Sequence, residues 1–174
     1  MSASLPNSSR DYRAGIHQGI DFICLERGRT ASAALPGNVV MAVSGYVDPV
    51  PADRSAILGV AAEVGATPAW TLAMLYGNFV VLDHGVIDGV GHTISIYAHL
   101  DSLDDSITAG VFVQGGQRLG EIGNHGTDSA STGADNPRSL HLHWELHIDN
   151  LYLGAGLDSI ETREVYRTLF SALL

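Results

Sequence analysis

The stretch His141-Leu142-His143-Trp144-Glu145-Leu146-His147 carries a protonatable or metal-binding side chain at every second position. Alternate side chains of an extended strand share a face. His141, His143, Glu145 and His147 are therefore expected on one side, with Leu142, Trp144 and Leu146 packed on the other. Imidazole is the commonest metal ligand, and a merely solvated strand face has little use for a row of them. The bland alternative is a His-rich polar edge without chemistry, so partners must be found elsewhere in the chain.

One partner lies in Gly15-Ile16-His17-Gln18-Gly19-Ile20-Asp21. The H-x-x-x-D spacing suits one face of a helix, but Gly15 and Gly19 favour a turn leading into a strand. Either geometry can bring an imidazole and a carboxylate to one cation. With the histidine strand they supply two nitrogens and one oxygen, a set that suits zinc. Three protein ligands leave a coordination position open, as catalytic rather than structural zinc sites do. A thiolate-rich structural site is excluded, because the chain has a single cysteine, Cys24. A third piece is Ile96-Tyr97-Ala98-His99-Leu100, preceded by Phe79-Val80-Val81-Leu82-Asp83-His84-Gly85. The two apolar runs flank the turn-prone stretch Gly85 to Gly91 and read as a hairpin, with His99 closing its second strand.

Taken in order, H-x-x-x-D, D-H-G followed by Y-A-H-L, G-x-x-x-G-x-x-G and H-L-H-W-E resemble the lysostaphin/LytM-type zinc endopeptidases, which hydrolyse peptidoglycan. The resemblance runs from about Arg10 to His147. It implies a mainly β, compact antiparallel sheet or barrel-like metallopeptidase domain holding one zinc ion per chain. The implied ligands are His17, Asp21 and His143. The implied catalytic histidines are His141, as main base, and His99, as oxyanion partner, with the two roles open to exchange. Glu145 and His147 share the strand face and are expected to orient ligands, although His147 equally suits a plain surface role. His125 sits in the loop Asn124 to Arg138, which is expected to border the cleft. The implied substrates are peptidoglycan peptides. The alternative is a metal-retaining regulator of a cell-wall amidase that does not itself hydrolyse.

The rest of the chain must position these residues. Strands are expected near Val39–Val43, Phe79–Asp83, Thr93–His99, Arg118–Ile122 and Leu140–Ile148, with Gly115-Gly116 and Gly120 through Gly126 as turns. Residues 48–76 read as a helical insertion with Pro51 and Thr67-Pro68 as starts. It is expected either to wall the groove or to elaborate packing away from it. A C-terminal helix is expected over 159–173, with Asp158 and Glu161 as a capping box and an apolar stripe of Val165, Leu169 and Leu173 beside Tyr166 and Phe170. The whole, 1–174, reads as a single domain.

Charge narrows the partners. The net charge is −10, the nine basic residues are all arginines, and they are scattered singly or in pairs. That pattern excludes the basic patch nucleic-acid binding needs. No apolar run is long enough for a membrane span, and no oligomeric state is indicated. The start Met-Ser-Ala-Ser-Leu-Pro lacks the form of a signal peptide. The implied substrate nevertheless places the protein in the periplasm, in the cell wall or outside the cell, as an excised or processed domain.

Overall fold

The computed structural model describes residues 4–134 and 136–171. Near the N-terminus, β1 (Ser9–Arg10) and β2 (Gly15–Ile16) pair across a 3-10 turn at Asp11–Arg13, and β3 (Ile20–Ile23), β4 (Thr30–Ser32) and β5 (Gly37–Val43) follow. Two helices come next, α1 (Pro51–Val64) and α2 (Ala69–Tyr76). The hairpin of β6 (Asn78–Ile87) and β7 (Gly91–Leu103) leads to β8 (Phe112–Val113) and β9 (Arg118–Ile122). A short helix α3 (Asp128–Thr132) precedes β10 (His141–Ile148), β11 (Leu151–Tyr152) and α4 (Ser159–Ser171).

Among the described residues the main sheet is nine-stranded and runs β11-β10-β7-β6-β5-β8, with β3 on β10, and β9 joining β7 to β4. Its pairings are antiparallel throughout. The mainly antiparallel β architecture read from the sequence is thus present, and the path ends at β8 and β11 without those two pairing. One face buries Val39, Val80, Leu82, Tyr97, Leu100, Val113, Leu119 and Trp144. These are the apolar, β-branched and aromatic side chains that suit a pleated, covered surface.

Three features depart from the sequence reading. Gly120 lies inside β9 rather than in a turn, because a side chain there would meet the Ser102 carbonyl oxygen of β7 at 2.0 Å. The glycine lets β9 approach the bulge between Leu100 and Ser102. The loop before β10 contains a helical turn, α3, that the run of small polar residues concealed; the Thr127 hydroxyl accepts from the Ala130 N–H and Gly133 closes it left-handed.

The third departure is the face that α4 buries. Its start is the expected capping box, with Asp158 Oδ1 accepting from the Glu161 N–H and Glu161 Oε2 accepting from the Asp158 N–H. The deepest row is Thr162 and Tyr166, with Phe170 partly buried against the core; Val165 is partly buried as well, Leu169 is exposed, and Leu173 lies outside the described residues. Aromatic packing sets this rotation: Phe170 meets Trp144 at 5.6 Å and Phe22 edge-on at 5.3 Å. The half-buried Cys24 packs on the same core. No helix among the described residues is long and apolar enough to cross a membrane.

Candidate metal centre

β10 lies between β3 and β7, and its register sets the centre. His143 stands opposite Asp21 of β3 on one side and Ala98 of β7 on the other. The alternation is as expected: Trp144 and Leu146 enter the core, while His143 and Glu145 face away from it. His17 comes from the turn between β2 and β3, and Gly19 keeps that turn against β10. The three side chains converge, with His17 Nε2, His143 Nδ1 and Asp21 Oδ1 each 2.9 Å from the other two.

The donor set can be tested for its fit to a divalent cation. His17 Nδ1 lies 3.0 Å from the Leu5 carbonyl oxygen, and His143 Nε2 lies 2.7 Å from Glu145 Oε1. Each ring therefore commits its N–H outward and turns a bare nitrogen to the centre, as metal-bound histidines do. Two bare nitrogens and a carboxylate oxygen facing one point repel unless a cation or a proton lies between them. Burial pushes His17 below the ordinary imidazole range. Burial alone would also lower His143, but Asp21 and Glu145 at its two nitrogens outweigh that and raise it to about 9. Burial would raise Asp21, yet its hydrogen bonds with His143 and His17 hold it well below the carboxylate range. The second oxygen of Asp21 faces the Arg10 guanidinium at 3.5 Å. Zinc bonds of about 2.0–2.2 Å at tetrahedral angles would space the donors roughly 3.3 Å apart, a small opening of the present triangle. The residues fit zinc.

His141 and His99 flank the triad, their rings 4.6 Å apart and that of His99 5.7 Å from His143. His141 Nδ1 donates to the Ser139 carbonyl at 2.7 Å, and His99 Nδ1 donates to the His125 carbonyl at 2.7 Å. Both keep Nε2 uncommitted. Burial lowers the pKa of each, and for His99 the neighbouring His141 and His143 lower it further. His99 reaches this face through an unusual backbone. Strand alternation would send it to the core side with Tyr97, but it sits at φ +61°, beside the bulges of β6 and β7. Bulges and left-handed non-glycine residues re-aim side chains at functional sites.

All five residues open onto one cavity of about 470 Å³. Residues 15–154 match the family model described as peptidase family M23. The chain belongs to peptidase family M23. Among solved structures it resembles a zinc-containing peptidase from Vibrio cholerae at 20% identity and TM-score 0.49, covering 79% of this chain and 28% of that one. It resembles the catalytic domain of lysostaphin from Staphylococcus simulans at 22% identity and TM-score 0.46, covering 77% and 68%. A chain of the SpoIIIAH–SpoIIQ complex aligns at 20% identity and TM-score 0.50, covering 86% and 74%. At such identities the likeness is one of fold. This chain spans about a quarter of the Vibrio cholerae protein's length, at 28%. No curated protein matches it in sequence.

Around the triad the structure places Glu145 and His147, which the sequence singled out, and adds Tyr76, which it did not. Glu145 is fully buried and is a hub: Oε1 faces His143 and accepts from the Tyr76 hydroxyl at 2.7 Å, while Oε2 faces His147 at 2.6 Å. His147 thus serves Glu145 rather than the triad. Tyr76 ends α2, 69 residues before Glu145, and no local pattern signals the pair. The His125 ring turns to Asp48, and only its carbonyl serves His99. From α1 and α2, Arg54, Leu58, Leu72, Leu75 and Tyr76 line the cavity.

Gly19 yields a prediction here. A Cβ at this position would lie 2.4 Å from the Trp144 carbonyl oxygen, 2.8 Å from Glu145 Cγ and 3.0 Å from His143 Cε1. Gly19→Ala is expected to push β3 off β10, costing about 1–3 kcal/mol and weakening metal binding as His143 and Asp21 part. Thermal unfolding and a zinc titration of the variant check both effects.

Proposed function

We propose that this chain is a zinc-dependent endopeptidase that hydrolyses peptide bonds in bacterial cell-wall peptidoglycan. His17, Asp21 and His143 hold the ion. Zinc bound there would polarise a peptide carbonyl and bring the pKa of a water toward neutrality. The observation that carries this reading is the pair of neutral imidazoles beside the triad. His141 and His99 each tie Nδ1–H to a carbonyl and leave Nε2 as a proton acceptor over the cavity. His141 is the general base: its Nε2 takes the proton of the attacking water and afterwards gives it to the leaving amine. His99, whose bare Nε2 can also accept, can exchange roles with His141: on taking that water's proton it becomes a donor that steadies charge at the carbonyl oxygen.

On this reading 1–174 is one catalytic domain, the helical insertion is a wall of its cleft, and the protein works where the wall polymer lies. The test is metal analysis and release of wall peptides on one sample of purified protein. One zinc per chain with release that a chelator abolishes and added zinc restores supports the proposal. Zinc without turnover on several wall types would sink it in favour of a regulator that binds the polymer through the same cleft.

A further inference from the structure

Three of the chain's nine arginines, Arg10, Arg13 and Arg54, line the cavity of the metal centre. Arg10 faces Asp21. Among the described residues Arg13 has no carboxylate within ion-pair distance, and Arg54 has one at the limit of that distance. Arg13 donates to the Thr67 hydroxyl and to the Ile16 carbonyl, both neutral. Arg54 has a side chain only 7% exposed, and its one hydrogen bond runs from Nη1 to the Gly126 carbonyl at 2.7 Å. Its nearest carboxylate, Asp128, stands 4.0 Å from Nε and is itself 85% exposed at the rim. Nη2 of Arg54 makes no hydrogen bond among the described residues and is not sealed from solvent.

This arrangement is costly. A guanidinium carries five donors, and a buried charge is tolerated only when paired and hydrogen-bonded. Arg54 also sits in the first turn of α1, where the helix dipole disfavours a cation. Of the carboxylates that line the cavity only Asp128, at the rim, reaches it. Asp21 is committed to His17, His143 and Arg10, and Glu145 to His143, His147 and Tyr76. A guanidinium so placed, with one long ion pair and Nη2 still open to solvent, can take an anion that enters with a ligand.

We propose that Arg54, with Arg13 lining the same cavity, binds a carboxylate of the substrate, so that acidic peptides are preferred over uncharged ones. A carboxylate matches the planar fork of a guanidinium in two parallel hydrogen bonds, and a buried site strengthens them. The cavity, about 470 Å³, suits a short peptide segment. The inference rests on the wall-endopeptidase reading for its substrate, and the experiment separates the two.

The probes are one cross-linked stem-peptide dimer bearing free carboxylates and the same dimer with those carboxylates amidated. Turnover and calorimetric binding are measured for both on zinc-loaded wild type, Arg54→Gln and Arg54→Lys. The quantity read is the ratio between the two peptides, which cancels any general loss of activity. Wild type is expected to favour the acidic dimer roughly ten- to hundredfold, as charged hydrogen bonds of this kind allow. The ratio falls to near one in Arg54→Gln and to an intermediate value in Arg54→Lys, which keeps the charge but loses the fork. A wild-type ratio near one, or an undiminished ratio in Arg54→Gln, overturns the anion site even if both dimers are cut. Should Arg54→Gln fail to fold, the wild-type ratio and Arg54→Lys decide. Acidic-dimer binding that Arg54→Gln abolishes, without cleavage of either dimer, supports the anion site and sinks the hydrolase reading.

Discussion

His141→Ala is expected to retain zinc and to lose two to four orders of magnitude in kcat/KM on wall peptides, about what a positioned general base supplies; His143→Ala is expected to lose both the metal and the turnover. The contrast follows from two neighbours on one strand having different partners. The bare nitrogen of His143 meets Asp21 and His17 at 2.9 Å, so removing it leaves two donors. His141 ties its Nδ1–H to Ser139, and its Nε2 lies 3.8 Å from Asp21, outside the triad. Its loss removes a proton acceptor and leaves the three donors in place. Metal content by elemental analysis, beside steady-state kinetics, separates the two outcomes. If His141→Ala cleaved wall peptides at the wild-type rate, the base would have to be His99, whose Nε2 is equally uncommitted.

What could be read from the residues was whatever is local. A period of two in the H-L-H-W-E-L-H stretch fixed which side chains share a face, and glycines on both sides of His17 turned that motif from helix to strand. The capping box of α4 and the proline start of α1 were local as well. Long-range contacts were not legible. Nothing within a few residues of Tyr76 announces that its hydroxyl reaches Glu145, and nothing near Arg54 announces a carbonyl at Gly126. His99 shows the subtler failure. Its residue type suggested the site, yet simple alternation would point it to the wrong face, and only the left-handed backbone beside two bulges corrects that. The buried face of α4 was legible only as a choice between neighbours. Apolar spacing allowed two adjacent stripes, and the rings of Trp144 and Phe22 selected the one with Phe170.

Glu145→Gln should weaken zinc binding by about 10–100-fold while leaving every metal ligand in the sequence intact. Position 145 touches no ligand-donor atom of the triad; it acts on the far nitrogen of His143. Two carboxylate oxygens there face three groups, His143 Nε2, His147 Nε2 and the Tyr76 hydroxyl. Burial would raise the carboxyl, but the hydrogen bond from His143, and then that from His147, hold it well below the carboxylate range, so it is charged. An amide keeps one acceptor oxygen but no charge, and its NH2 group donates where the second carboxylate oxygen accepted. The His143 ring then loses the charged acceptor that fixes its Nδ1 lone pair toward Asp21 and His17. Because the group is fully buried, the metal-free variant should also lose roughly 3–5 kcal/mol, the cost of breaking a buried pair. Tyr76→Phe is the control. It removes one neutral hydrogen bond from the same carboxylate, costs about 1 kcal/mol, and leaves His143 anchored. Zinc competition titrations and chemical unfolding measure the pair. If Glu145→Gln bound zinc as tightly as wild type, the ring would be held by strand packing alone, and the carboxylate two residues along β10 would have no part in the centre.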